Sequence, residues 1–164
     1  MIGNDVVDLE LAKTQSNWRR KGYLDKIFTS KEQQFISESI NQDQMVWILW
    51  SRKEAAYKTI LQNGGKRGYY PTRIENLDSE IDNGKIEFEN KLYFSKILIN
   101  NYLIHSIVSD KLIKKDDFVE LENHEIIKMN DFPFVKINSK LIPVSKSHHG
   151  RFEKVVCLNS EFCF

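Results

Sequence analysis

The chain has 164 residues, of which 41% are apolar and 12% aromatic, enough to bury a hydrophobic core without disulfides or metals. Its 24 Lys and Arg side chains nearly balance 23 Asp and Glu side chains, which excludes an overall basic field for nucleic acid or an anionic membrane. The sequence has neither a leader pattern of basic then apolar residues nor a run of 18 apolar residues. We therefore expect one folded domain over residues 1–164, in the cytoplasm and without a membrane anchor.

The two cysteines lie close together near the end of the sequence. Cys157 stands in an apolar stretch and Cys163 follows six positions later. Neither their number nor their spacing is typical of a disulfide framework or a zinc site. We expect both thiols to be reduced.

The first third of the sequence predicts helices after a short strand. Asp5 to Leu11 alternates apolar and acidic residues, a strand pattern, and a basic patch with one aromatic residue follows at Trp18 to Lys21. Thr29 with Glu32, or Ser30 with Gln33, has the spacing of a capping box, which predicts a helix ending near Ser39. The longest predicted helix runs from Gln44 to Gln62, where apolar residues recur at helical spacing until Asn63-Gly64-Gly65 ends it.

The rest of the sequence predicts strands, with turn residues such as Asn83-Gly84 between them. The predicted strands are Ile86 to Phe88, Leu92 to Ile99, Tyr102 to Val108, Phe118 to Leu121, Phe134 to Ile137 and Phe152 to Leu158. The fold class that follows is α+β, with N-terminal helices packed on an antiparallel β-sheet.

Glu54 and Lys58 lie four positions apart in the longest predicted helix, so their side chains leave the same face. A carboxylate and an ammonium group placed this way can hold a metal ion and a phosphate together. The alternative is a surface ion pair worth about 0.3–0.5 kcal/mol.

Two further segments offer polar groups. Asp5 and Asp8 are carboxylates of the kind that Mg²⁺ binds with phosphate oxygens, or exposed residues of an edge strand. Residues 145–151 read Ser-Lys-Ser-His-His-Gly-Arg, a set of donors for phosphate in a predicted turn that Gly150 allows to come close; a solvated polar loop is the alternative. His105 and His124 have no such neighbours and are interpreted as structural.

Taken in order, these segments resemble the 4'-phosphopantetheinyl transferase superfamily, and within it the small holo-acyl-carrier-protein synthases. Gly3-Asn4-Asp5 is similar to the Gly-x-Asp motif of that family, with Asn4 in place of the usual aliphatic residue. Phe28-Thr29 and Glu32 are similar to a second family segment. Residues 50–58 match the signature Trp-x-x-Lys-Glu-Ala-x-x-Lys at every fixed position, and Ser145-Lys146-Ser147-His148 resembles the motif Ser-x-Ser-His.

The resemblance implies a role for each matching residue. Asp5 and Glu54 would hold Mg²⁺ with the pyrophosphate of coenzyme A, and Asp8 would assist as a third metal ligand. Lys58 would contact the transferred phosphate, and Glu54 is also our candidate for accepting the proton of the attacking serine. The other residues implied in coenzyme A binding are Ser147, His148, Lys66 and Arg67.

The resemblance also implies partners and an assembly. The expected reaction moves 4'-phosphopantetheine from coenzyme A to a serine of an apo acyl carrier protein, or of another carrier domain from fatty-acid, polyketide or peptide assembly. The patch Trp18 to Lys21 would receive the acidic helix of the carrier, or is simply a solvated basic face. Small members of the family form homotrimers with sites between subunits, so a homotrimer is expected. The alternatives are a non-catalytic homologue that binds coenzyme A or a carrier protein, and a Mg²⁺-dependent phosphohydrolase.

Overall fold

A computed structural model describes residues 1–162, with side chains described through residue 160. Four α-helices and eleven strands follow one another along these residues. In chain order they are β1 (Ile2–Asp8), α1 (Leu9–Gln15), α2 (Tyr23–Ile27), α3 (Ser30–Glu38), α4 (Gln42–Gln62), β2 (Glu75–Asn76), β3 (Asp82–Phe88), β4 (Lys91–Ile99), β5 (Leu103–Ser109), β6 (Phe118–Glu120), β7 (Ile126–Met129), β8 (Phe132–Ile137), β9 (Lys140–Pro143), β10 (Ser145–His149) and β11 (Phe152–Leu158).

The strands form three antiparallel sheets. The largest has the order β1-β5-β4-β3-β2, so β1 lies at its edge. The second has the order β10-β11-β6, and the third is the meander β7-β8-β9. The predicted α+β class, with N-terminal helices on an antiparallel sheet, is confirmed.

Helix α4 packs across the large sheet and divides the core into two parts. Its first half, with Val46, Ile48 and Leu49 fully buried, packs with α2 and α3. Its second half packs Ala55, Ala56 and Ile60 against strands β3 to β5. Apolar residues recur along α4 at helical spacing, but of Val46, Trp50, Tyr57 and Leu61 only Val46 is fully buried, and the other three are half-buried. The pattern located the helix without identifying all of the residues that meet the sheet.

Gly3 allows β1 to approach α4 unusually closely. A Cβ atom at this position would lie 2.1 Å from the carbonyl oxygen of Ala55 and 2.6 Å from Oγ1 of Thr59. Any side chain would therefore push β1 away from the helix. The glycine of the Gly-x-Asp motif sets the distance between the strand and α4.

The predicted elements agree with the structure where apolar periodicity marks them. The capping box of Thr29 and Glu32 is present at the start of α3. The strand predicted from Asp5 to Leu11 is wrong in its second half, because Asp8 caps a helix that begins at Leu9. The turn predicted over residues 145–151 is wrong for its first five residues, since Ser145–His149 is strand β10, and it is present only at Gly150 and Arg151, where Gly150 has a φ of 55°. Helix α2 and strands β2, β7 and β9 were not predicted.

Two further sequence predictions concern the cysteines and a membrane-spanning segment. Cys157 is buried in β11, while Cys163 lies outside the described residues, so the expectation of two reduced thiols stays a prediction. Across residues 1–162, no helix has both the length and the apolar character needed to cross a membrane.

Candidate functional site

Helix α4 separates the residues of the Trp-to-Lys signature onto two faces. Lys53 is fully buried, and its ammonium group lies 2.6 Å from the carboxylate of Glu32. The same ammonium donates to the carbonyl oxygens of Pro71 and Ile74. Glu54 and Lys58 leave the helix on the other side and are partly exposed. One half of the signature therefore holds the fold together, and the other half is available for chemistry.

Strand β1 places Asp5 beside this second face. One Asp5 carboxylate oxygen lies 3.5 Å from the ammonium group of Lys58. Lys58 also donates to the backbone carbonyl oxygens of Asn4, at 2.7 Å, and Lys146, at 3.2 Å. Asp5, Glu54 and His148 line one cavity of about 240 Å³. The structure thus brings together Asp5, Glu54 and Lys58, as the sequence predicted.

The two carboxylates of this cavity resist ionisation. Burial and, to a smaller extent, the neighbouring Asp5 carboxylate together raise the pKa of Glu54 to about 7, with Lys58 opposing both effects. Burial likewise raises the pKa of Asp5, against the lowering influence of Lys58 and Ser147. Two poorly solvated carboxylates that repel each other both disfavour the charged form. A bound cation would relieve both causes.

The site fits Mg²⁺ by the chemistry of its donors. Magnesium prefers oxygen ligands and needs only one or two protein carboxylates when phosphate oxygens and water complete its shell. Among the described residues no three or more His, Cys, Asp or Glu side chains form a metal-binding group, so the carboxylates of Asp5 and Glu54 would be the protein's contribution. A cage made entirely of protein ligands is not required for this ion.

Strand β10 covers the free edge of β1 with side chains instead of a backbone ladder. The backbone N–H groups of Asn4 and Val6 donate to the hydroxyl oxygens of Ser145 and Ser147 at 2.8 and 3.0 Å. The N–H of Asp8 donates to Nδ1 of His149 at 2.8 Å. Because side chains alternate along a strand, Ser145, Ser147 and His149 share the face toward β1.

Ser147 acts on the site through Asp5. Its hydroxyl donates to the Asp5 carboxylate at 2.8 Å and accepts from the Val6 N–H, and the side chain is almost fully buried. The expectation that Ser147 binds a phosphate of coenzyme A is therefore revised, because its hydroxyl already has both partners. His148, the next residue, is exposed at the cavity of Asp5 and Glu54 and stays available to a phosphate.

Asp8 does not join the carboxylate pair. Its side chain accepts two hydrogen bonds from the Arg151 guanidinium, at 2.8 and 2.7 Å, and others from the backbone of Glu10, Leu11 and Arg151. The hydrogen bonds from Arg151 hold the pKa of Asp8 far below its usual range. Since both carboxylate oxygens are engaged in capping α1 and fastening Arg151, the prediction of Asp8 as a metal ligand is not supported by this geometry.

Lys66 and Arg67, predicted to touch the nucleotide, lie next to each other in the loop after α4 but differ in their surroundings. Arg67 lines a second cavity of about 290 Å³, together with Lys58 and Lys146. Lys66 is exposed, and its carbonyl oxygen accepts a hydrogen bond from the hydroxyl of Tyr70 at 2.6 Å. Arg67 therefore stands where a ligand of the site could reach it, whereas Lys66 does not line a described cavity.

Three cavity-lining residues were not assigned to the site from the sequence: Lys128 of β7, which was missed altogether, and Lys146 and His149 of β10, which were seen only as part of the donor segment 145–151. His149 lines the Asp5–Glu54 cavity, and Lys146 and Lys128 line the second one. The alternation in Ser145-x-Ser147-x-His149 was a usable signal for β10, since period 2 is typical of a strand. No local pattern could have placed Lys128, because β8 and β10 bring it near α4 from far along the chain.

The basic patch lies in the turn between α1 and α2. The Trp18 indole N–H and the Arg19 guanidinium both donate to Asp43, at 2.6 and 2.7 Å. Arg20 lies over the ring of Tyr23, which lines the Asp5–Glu54 cavity. Asp43 partly neutralises Arg19, so Arg20 and Lys21 are the cations of the patch without an ion pair among the described residues. The patch is at the rim of the candidate site.

Comparison with known proteins supports the family resemblance seen in the sequence. The sequence model of the 4'-phosphopantetheinyl transferase superfamily matches residues 1–106. A holo-[acyl-carrier-protein] synthase of Fusobacterium nucleatum subsp. nucleatum is 31% identical over 111 residues, which cover 66% of this chain and 86% of that protein. The matched residues include β1, α4 and the whole large sheet up to most of β5. The chain belongs to the 4'-phosphopantetheinyl transferase superfamily.

Proposed function

We propose that the chain transfers 4'-phosphopantetheine from coenzyme A to a serine hydroxyl of an apo carrier protein. The observation that carries this proposal is the meeting of Asp5 and Glu54 in one cavity, with Lys58 3.5 Å from Asp5. Family membership supports transfer in general, and the relative's name supports an acyl carrier protein as acceptor. We further propose that residues 1–164 form a single transferase domain.

The protein's own side chains would position and neutralise the reacting groups. Lys58, fixed by two backbone carbonyls, would face the phosphate that is attacked, where a cation stabilises the developing charge. The serine oxygen forms a bond to the β-phosphorus while the bond to the leaving oxygen of adenosine 3',5'-bisphosphate breaks. Glu54, directly or through a water molecule, would take the serine proton.

Mg²⁺ held by Asp5 and Glu54 would, when bound, neutralise the pyrophosphate and orient it. Ser147 would hold the Asp5 carboxylate toward the cavity. His148, exposed at the same cavity, would bind a phosphate oxygen of coenzyme A. The cofactor assignment thus depends on the same two carboxylates as the reaction.

The acceptor would approach over the turn between α1 and α2. Arg20 and Lys21 offer positive charge beside Tyr23 at the cavity rim, and carrier proteins of this type would present an acidic helix. Complementary charge speeds and orients such encounters. Reversing Arg20 and Lys21 to glutamate is expected to raise the KM for the carrier and leave that for coenzyme A unchanged.

The homotrimer expected from the family stays part of the proposal. Sedimentation at micromolar concentration tests it directly. An active monomer would remove the trimer from the proposal while leaving the reaction in place.

Mass spectrometry of an apo carrier protein tests the proposed reaction. The carrier, this protein, coenzyme A and Mg²⁺ are incubated together, with a parallel sample in chelator. The expected result is a gain of one phosphopantetheine on the carrier, lost in chelator because the oxygen ligands imply Mg²⁺. Coenzyme A binding without transfer to any tested carrier would favour a non-catalytic homologue, and phosphate release without carrier would favour a phosphohydrolase.

A further inference from the structure

Asn4 is a fully buried amide on a face of β1 that is otherwise lined by apolar residues. Its neighbours on that face, Ile2 and Val6, are buried aliphatic side chains. Nδ2 of Asn4 donates to the Lys154 carbonyl oxygen of β11 at 3.2 Å, but Oδ1 has no hydrogen-bond partner among the described residues. A half-satisfied amide costs stability where an aliphatic side chain would not, so its presence calls for a reason other than packing.

The Asn4 amide is one end of a chain of hydrogen bonds that joins the large sheet to the second sheet. Nδ2 of Asn4 lies 3.1 Å from Nε2 of His105 on β5, a side chain that is only 1% exposed. Nδ1 of His105 lies 3.1 Å from one carboxylate oxygen of Glu120 on β6, whose other oxygen accepts from the Lys154 ammonium at 2.6 Å. These contacts join segments far apart in the sequence, so the residues next to His105 gave no sign of them.

The direction of each hydrogen bond in this chain is fixed from both ends. Only the NH₂ group of the Asn4 amide can donate to the Lys154 carbonyl, so the same group faces Nε2 of His105, which must accept. The hydrogen bond from His105 lowers the pKa of Glu120 to about 2, helped by Lys154 and opposed by burial, so Glu120 is a carboxylate that only accepts. Nδ1 of His105 therefore carries the ring proton and donates it to Glu120.

The backbone of Asn4 connects this chain to the candidate site. In an antiparallel strand the N–H and the carbonyl of one residue point to the same side, and those of Asn4 point to the free edge of β1. The N–H donates to Ser145, and the carbonyl, which belongs to the next peptide unit, accepts from the Lys58 ammonium at 2.7 Å. Since β5 supplies no ladder bond on that side, the direction of this carbonyl depends on how the Asn4 side chain is held.

We propose that Glu120, His105 and Asn4 form a positioning network that fixes Lys58 for catalysis. Glu120 orients the imidazole of His105, His105 holds the Asn4 amide, and Asn4 presents its carbonyl to the Lys58 ammonium. None of the three lines either cavity of the candidate site, so they act through Lys58 and not on the substrate. The catalytic role of Lys58 rests on the proposed function, whereas its hydrogen bond to Asn4 does not. A reacting group loses much of its effect when it is misplaced by about 1 Å.

The order of the Lys58 ammonium group, followed by ¹⁵N NMR of the full chain without coenzyme A, metal or carrier, tests the network independently of the reaction. His105→Leu and Asn4→Val are expected to speed the exchange of its hydrogens with water about fivefold, the usual equilibrium effect of one hydrogen bond. Lys53, on the same helix but held by other partners, should be unchanged in the same spectra and reports any general loosening of the fold.

Three further variants separate the network from ordinary packing. Ser109→Ala is the matched control, because Ser109 is a buried polar side chain of the same strand that bonds to the Met1 carbonyl, away from Asn4. His105→Gln keeps an acceptor for Asn4 and a donor for Glu120, so it should restore most of the order. Glu120→Ala changes a partly exposed side chain, which spares the core, and should loosen the ammonium group in the same direction but less.

Carrier modification by the same variants measures whether this position matters for the reaction. His105→Leu should lower kcat at least about tenfold and keep the KM for coenzyme A within about twofold, since the charge of Lys58 stays in the site and only its direction is lost. His105→Gln should recover most of the rate, which a loss of packing alone would not allow.

The outcomes distinguish the network from the reaction. Loosening of Lys58 alone, with a lower kcat and rescue by His105→Gln, supports the network. Equal loosening of Lys53 and Lys58, an effect of Ser109→Ala as large as that of His105→Leu, or a loosened Lys58 with an unchanged kcat would overturn it and leave the proposed function intact. If the natural chain modifies no carrier, the proposed function fails, and the NMR comparison still decides whether the network holds Lys58.

Discussion

The Asp5–Glu54 region and the β7-β8 hairpin meet at Lys58 but are built in opposite ways. Asp5 lies on a strand whose N–H groups are capped by buried side chains, and Glu54 on a helix that crosses the whole sheet. Lys128, on the β7-β8 hairpin, and Arg67, in the loop after α4, have exposed side chains. Groups that do chemistry need fixed geometry, and only the first region provides it. Changes in the first region should therefore lower kcat more than changes in the second.

The largest effect is expected at Glu54. Replacing Glu54 with Gln removes the base and one proposed metal ligand but keeps the side-chain shape, so the transfer rate should fall about 10²–10⁴-fold without loss of the fold. The rate is measured by carrier modification and the fold by circular dichroism. Glu10→Gln is the control, since Glu10 is exposed on α1. Full activity of the Glu54 variant would contradict both roles.

The next largest effects are expected at the two lysines of the signature, where Lys53 should affect stability and Lys58 activity. Lys53→Met leaves the buried Glu32 carboxylate without its cation, which should lower the free energy of unfolding by about 3–5 kcal/mol. Urea denaturation measures this change. Lys58→Met should change stability by less than about 1 kcal/mol, because Lys58 is partly exposed, yet abolish transfer. Similar stability losses in both variants would show that the two faces of α4 are not divided as described.

These contrasts show what the sequence could and could not reveal. Helix α4 was predicted because apolar residues recur along it at helical spacing, and the candidate site residues Asp5, Glu54 and Lys58 were proposed from their chemistry and from the resemblance. Helix α1 was missed because Asp8-Leu9-Glu10-Leu11 alternates like a strand, and its signal was the N-cap residue Asp8. Strand β10 was missed because its inward residues are Ser and His that bond to backbone, not apolar residues.

The site was least predictable where distant segments meet. Asp8 looked like a metal ligand until Arg151, more than a hundred positions later, occupied its carboxylate. Ser147 was likewise predicted to bind phosphate. The hydrogen bond that engages its hydroxyl comes from a contact with Asp5, which is far away in the sequence and invisible to a local pattern. Local patterns identify chemically capable groups, but only tertiary contacts show which of them are still available.

A smaller effect distinguishes the two serines of β10. Ser147→Ala leaves the Val6 N–H without a partner and removes the hydrogen bond to Asp5, so stability should fall by about 1–3 kcal/mol and kcat should fall with it. Ser145→Ala leaves the Asn4 N–H without a partner in the same way but does not touch Asp5. Thermal unfolding should therefore be similar in both variants, while the loss of kcat should be confined to Ser147→Ala. Equal kcat values would show that Ser147 is purely structural.

The smallest effect follows from the charge of the site without metal. The pKa of Glu54 is raised from its ordinary value of 4.5 to about 7, so between these pH values the folded chain holds more protons than the unfolded chain. Stability must then fall as the pH rises through this window, by about 1–3 kcal/mol.

Glu54→Gln removes this loss of stability and also removes the electrostatic repulsion between residue 54 and the Asp5 carboxylate. In chelator, the variant should therefore gain stability over the natural chain from pH 5 to pH 8, as measured by denaturation at each pH. Adding Mg²⁺ at pH 8 should close the gap, because a cation at Asp5 and Glu54 stabilises only the chain that has both carboxylates. A gap that is the same at both pH values would mean that Glu54 is as well solvated in the fold as in the open chain, and the carboxylate pair would then lose its electrostatic reason to bind a cation.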